Sequence, residues 1–273
     1  MSFITEMFIK TCLETIWLAG VIITAGFILN ILRNNSIKNF QRSFGKKAII
    51  ITGILGVPIH EMSHAFIALL FGHKLTKVKL FQSPDENGVM GYVNHTYSRN
   101  SIYQQLGNFF IGIAPIIGGT ISIIVLMYFA MPETYNQFTN LVLKDLQWST
   151  MNKHAFESIL KAYGRIAETV FTIKNMGNPL FYIFIFAAIS ISSHISLSPA
   201  DIKGAAKGLF SIILVIFLLN VLNLSKYLAP LEIIRYNMIL SSFLLLTIFL
   251  SFATYLASLA SLVVKSHKDN LLL

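Results

Sequence analysis

The amino-acid sequence predicts an all-α polytopic membrane protein of about six transmembrane helices, with a small β-hairpin after the second. Three observations lead to this fold class. The 273 residues are 55% hydrophobic and only 12% charged, and their mean hydropathy of +0.67 exceeds what a water-soluble core of this size needs. The apolar residues are gathered into runs of about 20, the length that crosses a bilayer as a helix. A period-two alternation, typical of strands, follows the second run.

Six apolar runs are the predicted spans. They cover residues 13–32, 48–71, 106–130, 180–197, 209–224 and 236–264. Most are close to the ~20 residues that a bilayer core requires, and the last is long enough to tilt or to emerge at its ends. We expect one membrane-embedded domain over residues 1–273, with its core at 48–130 and 180–205 and an interfacial or extramembrane segment at 131–178.

The long segment at 131–178 contains an amphipathic pattern. Apolar residues keep helical spacing from Phe156 to Phe171, opposite charged residues such as Lys153 and Glu157. This pattern predicts a helix that lies in the membrane interface. We favour a surface helix with no part in chemistry over a lid.

Two shorter connections differ in composition. Residues 33–47 contain basic side chains and no acidic one, which predicts a basic loop between the first two spans. Residues 76–80 alternate with period two, 83–88 (Ser-Pro-Asp-Glu-Asn-Gly) supply turn chemistry, and 89–97 can return as a second strand. We therefore expect a β-hairpin at the membrane surface, directly after the second span.

Charge and cysteine content limit the partners. The net charge is +9, but the basic residues lie in short connections between apolar runs. This arrangement indicates contact with anionic lipid headgroups and predicts no nucleic-acid partner. Cys12 is the single cysteine, so an internal disulfide and a cysteine-rich zinc site are both excluded. We expect an integral, multi-pass protein of the cell membrane.

The second span contains the sequence His-Glu-Met-Ser-His at residues 60–64. His60 and His64 are one helical turn apart, so both imidazoles can reach one Zn²⁺ ion. Glu61 between them can act as general base toward a water molecule. Ionisable residues at membrane depth are costly and usually functional. The alternative is a coincidental match on a helix that packs polar groups inside a bundle.

A hydrolytic zinc site normally has three protein ligands, so a third ligand must come from elsewhere. Asp201 follows Pro199 at the end of the fourth predicted span and could reach the metal from a second helix. Its alternative role is to cap the next helix or to pair with Lys203. His194 is the rival ligand, and it could instead orient a substrate or bond to neighbouring serines. The remaining histidines lie in connections or tails and are expected to be solvated: His73, His95, His154 and His267.

These residues resemble the site-2 protease family of intramembrane zinc metalloproteases. The likeness covers residues 48–130 and 180–205. It rests on the histidine motif, the strand-like residues 77–81, the small-residue and proline sequence at 112–118, and Pro199-Ala200-Asp201. The chain departs from the family pattern at Ala200 and Ile202, where the family usually has Leu and Gly. It also departs at Ser193 and His194, where the family has an asparagine.

The resemblance implies that His60, His64 and Asp201 bind zinc and that Glu61 is the general base. It also implies a substrate whose transmembrane segment unwinds to expose the scissile bond, and which could pair with the hairpin as an added strand. The resemblance implies that the site and the hairpin lie on the cytosolic side, whereas the positive-inside rule favours the opposite orientation, because the basic residues 33–47 would then face outside.

We therefore expect an intramembrane zinc metalloprotease that hydrolyses peptide bonds in or near transmembrane segments of membrane proteins. Its partners would be the substrate and the lipid bilayer, and a regulatory membrane protein is a further possible partner. One alternative is a non-proteolytic metal-binding scaffold or regulator. A second is an ion- or proton-coupled transporter, although the sequence lacks the internal repeats that transporters often show.

Overall fold

The computed structural model describes residues 3–86, 88–146, 164–165, 168–224 and 230–270. The helices and strands follow in chain order as α1 (Phe3–Phe44), α2 (Lys46–Leu70), β1 (Lys74–Lys79), β2 (Tyr92–Thr96), α3 (Ile102–Ala130), α4 (Pro132–Leu146), α5 (Ile173–Met176), α6 (Pro179–Ser192), α7 (Pro199–Val221) and α8 (Pro230–Asn270). Within this described part, five helices are long and apolar enough to cross a membrane: α1, α2, α3, α7 and α8. The chain is therefore a helical membrane protein, as the composition predicts.

The predicted basic loop at 33–47 is wrong. Helix α1 continues to Phe44, and Gly45 is the single residue between it and α2. No glycine or proline occurs between Arg33 and Phe44, and lysine, arginine and glutamine favour helices, so the charges end the apolar run without ending the helix. Gly45 adopts the left-handed conformation (φ 72°) that a turn this tight requires.

The fourth predicted span is shorter than expected. Helix α6 has 14 residues, about 21 Å, and ends at Ser192. The chain then turns through buried residues before α7 begins at Pro199. Pro199 restricts the residue before it to extended backbone, and Ser198 caps the new helix. Asp201 consequently lies in the first turn of α7 and not at the end of the fourth span.

The predicted hairpin is confirmed. Strands β1 and β2 pair antiparallel, with Leu75 opposite His95 and Val78 opposite Val93. The register shifts at Thr76, where one extra residue on β1 forms a bulge. The hairpin follows α2 after a short turn at Gly72 and leads to α3. It therefore lies at the end of α2 that is nearest the two histidines.

Helix α3 is the centre of the bundle and packs against α2, α6 and α7, while α1 packs along α8. The core contains fully buried Leu29, Ile116, Phe184 and Leu246. Large apolar side chains such as Phe129 and Phe210 are exposed on the outside, as lipid-facing residues would be. Most of the amphipathic pattern predicted from Phe156 to Phe171 lies outside the described residues.

Candidate metal centre

Helix α2 brings His60 and His64 together on one face. Helix α2 remains continuous through Pro58, two residues before His60. The two Nε2 atoms are 3.2 Å apart, and the ring centroids are 4.9 Å apart. The spacing of the sequence motif is therefore realised as one pair of imidazoles.

Two backbone carbonyls fix the orientation of these rings. His60 Nδ1 donates to the carbonyl oxygen of His194 at 3.0 Å, and His64 Nδ1 donates to that of Ile111 at 2.8 Å. A carbonyl oxygen can only accept, so each Nδ1 carries the ring proton. In the neutral rings both Nε2 atoms then carry a lone pair, and these lone pairs face each other. Two facing lone pairs are satisfied either by a proton on one Nε2, which Asp201 can accept, or by a metal ion that both nitrogens bind.

Asp201 reaches the same point from α7. Its Oδ1 lies 3.3 Å from His64 Nε2, and its Oδ2 lies 3.9 Å from His60 Nε2. Oδ2 also accepts the backbone N–H of Ser198 at 2.7 Å, which completes a capping box. The aspartate therefore caps the helix and faces the histidines, two roles that the sequence left as alternatives.

Close packing of α3 on α7 positions Asp201. A Cβ at Gly112 would lie 2.6 Å from both the carbonyl oxygen of Asp201 and the Cβ of Ala205. The neighbouring carbonyl, that of Ile111, is the acceptor that orients His64. One turn of α3 thus sets the positions of two of the three groups.

The three side chains form a potential metal-binding group, with their ligand atoms all within 4.8 Å of one another. Zinc at about 2.0–2.1 Å from each ligand in a tetrahedron places neighbouring ligand atoms about 3.3–3.4 Å apart. The 3.2 Å between the two imidazoles and the 3.3 Å from His64 to Oδ1 of Asp201 agree with this requirement, whereas the 3.9 Å from His60 is measured to the other oxygen of Asp201, Oδ2. Two imidazole nitrogens and one carboxylate suit zinc and leave a fourth position for water or substrate.

Glu61 lies beside this group. Its side chain is 7% exposed and interacts electrostatically with His64 and Asp201. The segment that enters β2 covers it, because a Cβ at Gly91 would lie only 2.8 Å from Glu61 Cγ. The buried carboxylate is thus held between α2 and the hairpin.

His194, the rival ligand, contributes its backbone to the site. Its ring is 3% exposed and Nδ1 donates to the carbonyl oxygen of Ser190 at 3.1 Å, so Nε2 carries a lone pair. Nε2 is buried and has no hydrogen-bond partner among the described residues. The potential metal-binding group found there contains Asp201 and not the ring of His194.

Arg33 is a neighbour of the site that sequence reasoning missed. Its guanidinium interacts electrostatically with Asp201, His60 and His194, and its Nε is buried. The sequence position of Arg33 could have indicated this, because Arg33 and Val57 are each twelve residues from Gly45, the turn that joins α1 to α2. Arg33 is therefore about level with the turn of α2 that precedes His60.

A second histidine pair corrects another expectation. His73, predicted to be solvated, is 3% exposed and its Nδ1 lies 2.9 Å from Nδ1 of His95. Burial of the His95 ring, with His73 and then His64 beside it, lowers the pKa of His95 below its usual range. His267 is exposed, as expected, and His154 lies outside the described residues.

The chain matches no protein-family model, no curated protein and no solved structure. The geometry of the metal-binding group and its neighbours is therefore what bears on function.

Proposed function

We propose that the protein is an intramembrane zinc metalloprotease of the site-2 protease type, embedded as a multi-pass protein in the cell membrane. One observation carries the proposal. The Nε2 lone pairs of His60 and His64 converge 3.2 Å apart, and Asp201 joins them from a second helix within reach of Glu61. Histidine, histidine and a carboxylate beside a free glutamate form the donor set of a hydrolytic zinc site.

His60, His64 and Asp201 would hold the zinc ion. When bound, zinc acts as a Lewis acid that polarises the carbonyl of the scissile peptide bond. The chain orients its ligands through hydrogen bonds to the carbonyls of His194 and Ile111, which keep both Nε2 atoms available. Ser198 restrains the carboxylate of Asp201 in the same way.

Glu61 would move the protons of the reaction. Its carboxylate takes a proton from the attacking water and later delivers it to the nitrogen of the leaving amine. The position fits this role, because Glu61 adjoins His60 and is electrostatically coupled to His64 and Asp201. The backbone at Gly91 covers the methylene groups of Glu61 and limits the access of bulk water from that side.

The substrate would be a transmembrane protein or peptide. A metal site at membrane depth can act only on a segment that enters the bundle and unwinds, because helical backbone hides its peptide groups. The hairpin beside Glu61 offers strand edges to such an unwound segment. The unpartnered Nε2 of His194 is available to orient it.

The test uses the full chain in nanodiscs and a set of synthetic membrane-spanning peptides with quenched fluorophores. We expect zinc near one ion per chain and cleavage of at least one peptide. Glu61→Gln should keep the zinc and lower the cleavage rate about 10²–10⁴-fold, because the general base is lost. Glu133→Gln, an exposed glutamate at the start of α4 that pairs with Lys174, is the matched control.

Three results would contradict the proposal. A zinc-free parent protein would remove the metal centre. Full zinc occupancy without cleavage of any peptide would favour a metal-binding scaffold, and cleavage that Glu61→Gln leaves unchanged would remove Glu61 as the general base.

A further inference from the structure

Three buried polar atoms without a hydrogen-bond partner among the described residues lie around the candidate metal centre. They are Nε of Arg33, Oγ of Ser190 and Nε2 of His194. Buried polar groups are nearly always hydrogen-bonded, so each of these atoms can bind a partner that the described residues do not supply. The fourth such atom, Oδ1 of Asn220, belongs to a separate polar cluster between α1 and α7.

Arg33 is the charged member of this group. It lies within α1, about level with the turn of α2 that precedes His60, and interacts electrostatically with His60, His194 and Asp201. An arginine at this depth of a membrane protein is costly unless its charge and donors are used. Its Nη1 donates to the nearby Asn34 at 3.4 Å, which leaves the buried Nε–H unused.

Arg33 and His194 offer complementary groups. Nε of Arg33 can only donate, whereas Nε2 of His194 accepts, because Nδ1 of that ring carries the proton donated to Ser190. A peptide group presents one acceptor and one donor, its carbonyl oxygen and its N–H. The two side chains therefore offer the donor and the acceptor that one peptide group of an unwound chain requires.

A purely structural role of Arg33, as counter-ion of Asp201, explains fewer of these observations than contact with a substrate peptide group. The carboxylate of Asp201 already faces His64 at 3.3 Å and accepts from Ser198 at 2.7 Å. Arg33 and Asp201 interact electrostatically but form no ion pair among the described contacts. A counter-ion role also leaves the Nε of Arg33 and the Nε2 of His194 without partners.

We propose that Arg33 is a substrate-positioning residue, whose Nε–H donates to the carbonyl oxygen of a peptide group next to the scissile bond. His194 Nε2 accepts the N–H of that peptide group. This inference rests on the proposed protease function and adds a cationic residue from α1 to the substrate site. It predicts that peptide ligands, and not ligands that bind the metal alone, depend on Arg33.

The experiment compares two zinc-binding probes on the full zinc-loaded chain in nanodiscs. Acetohydroxamate binds the metal without a peptide group, and N-acetyl-leucyl-leucyl hydroxamate adds a peptide backbone. Arg33→Gln should weaken the peptidyl probe about 10-fold to 100-fold, as expected for loss of a charge-assisted hydrogen bond. The affinity for acetohydroxamate and the zinc content should stay unchanged.

Two further variants sharpen the result. Arg33→Lys keeps the charge but places no donor at the Nε position, so it should restore only part of the lost affinity. Arg42→Gln removes an exposed cation two to three turns along the same helix, and both probes should bind it as they bind the parent.

Equal affinity of the peptidyl probe for Arg33→Gln and the parent would overturn the inference while leaving the protease proposal intact. A parallel loss of both probes, or of zinc, would assign Arg33 to the support of the metal centre and would also overturn it. A parent protein that binds neither zinc nor acetohydroxamate would instead remove the proposed function itself.

Discussion

The molecule contains two histidine pairs that look alike at first sight and differ in chemistry. In each pair the ring centroids are 4.9 Å apart and two ring nitrogens are in contact, at 3.2 Å between His60 and His64 and at 2.9 Å between His73 and His95. The two pairs differ in the hydrogen bonds that the other nitrogen of each ring makes. These hydrogen bonds decide which pair can hold a metal ion.

In the first pair both outer nitrogens donate to backbone carbonyls, so two lone pairs meet. In the second pair only His73 does so, through Nε2 to the carbonyl oxygen of Gln104 at 2.8 Å. Nδ1 of His73 therefore accepts, and Nδ1 of His95 donates to it. The second pair is a complete neutral hydrogen bond, while the first needs an added proton or a metal ion between its Nε2 atoms.

The neighbours of the two pairs agree with this assignment. Asp201 and Glu61 bring two carboxylates to the first pair. The second pair has an aromatic neighbour instead, because Tyr97 stacks on His73 at 5.1 Å with an interplanar angle of 19°. Spacing alone does not define a metal site, since the hydrogen bonds behind the rings set the direction of the lone pairs.

The largest expected effect separates the two pairs by metal content. His60→Ala, His64→Ala and Asp201→Ala should each reduce zinc from near one ion per chain to near zero, because two ligands from one chain hold zinc weakly. His73→Ala and His95→Ala should keep it. Elemental analysis of protein purified without added chelator measures the difference.

His194→Ala adds a control beside the first pair. Alanine keeps the backbone carbonyl that orients His60, so the zinc content should stay close to that of the parent. Loss of zinc in this variant but not in Asp201→Ala would make the His194 ring the third ligand. Loss in His73→Ala as well as His64→Ala would mean that the two pairs are not chemically distinct.

A smaller effect on zinc affinity is expected at two glycines of α3, each of which packs closely beside one of the two histidine pairs. A Cβ at Gly112 would lie 2.6 Å from the carbonyl oxygen of Asp201, and a Cβ at Gly107 would lie 2.5 Å from Cβ of Phe71 and 3.1 Å from Nε2 of His73. Gly112→Ala should displace Asp201 and weaken zinc binding about 10-fold or more. Gly107→Ala should leave zinc affinity within about threefold of the parent.

Both substitutions should lower the midpoint of thermal unfolding, since overpacking costs about 1–3 kcal/mol. Gly204→Ala on α7 is the control, because its Cβ would meet no atom within 4 Å. Zinc titration followed by competition with a chromophoric chelator gives the affinities. Equal zinc affinity in Gly112→Ala and Gly107→Ala would show that α3 does not position Asp201.

The local half of this comparison could be predicted from the sequence. The spacing of His60 and His64 is a property of any helix, and the apolar runs and the alternating residues 76–80 are local patterns too. The hairpin and the helical membrane fold were predicted for that reason. So was the candidate group of Asp201 with the two histidines, although the sequence left helix capping by Asp201 and ligation by His194 open as alternatives and the family resemblance favoured Asp201.

The other half depends on contacts between distant residues. The carbonyl acceptors of His64 and His60 are 47 and 134 residues away along the chain. The second of them exists only because α6 ends at Ser192 and exposes backbone groups. The pairing of His73 with His95 requires the hairpin register, and the depth of Arg33 requires that α1 continue to Phe44. Neither the composition nor the periodicity of the sequence predicts these long-range contacts.

The smallest expected effect concerns the pH dependence of the second pair. The pKa of His95 is lowered by burial and by the nearby His73 and His64, so the folded chain binds a proton at His95 less readily than the unfolded chain. Acidification through the ordinary histidine pKa of about 6.5 therefore favours unfolding, and the stability contribution of this pair is present above that pH and lost below it. His95→Gln removes this pH-dependent contribution to the free energy of unfolding.

Thermal unfolding of the metal-free full chain between about pH 7.5 and 5.5 tests this sign, because the metal-free state removes competition from zinc. His95→Gln should lose less stability on acidification than the parent, whereas His267→Gln, at an exposed position on α8, should lose as much as the parent. If His95→Gln lost as much stability as the parent, burial and the neighbouring histidines would not hold His95 in its neutral form. The contrast with the first pair would then rest on Asp201 alone.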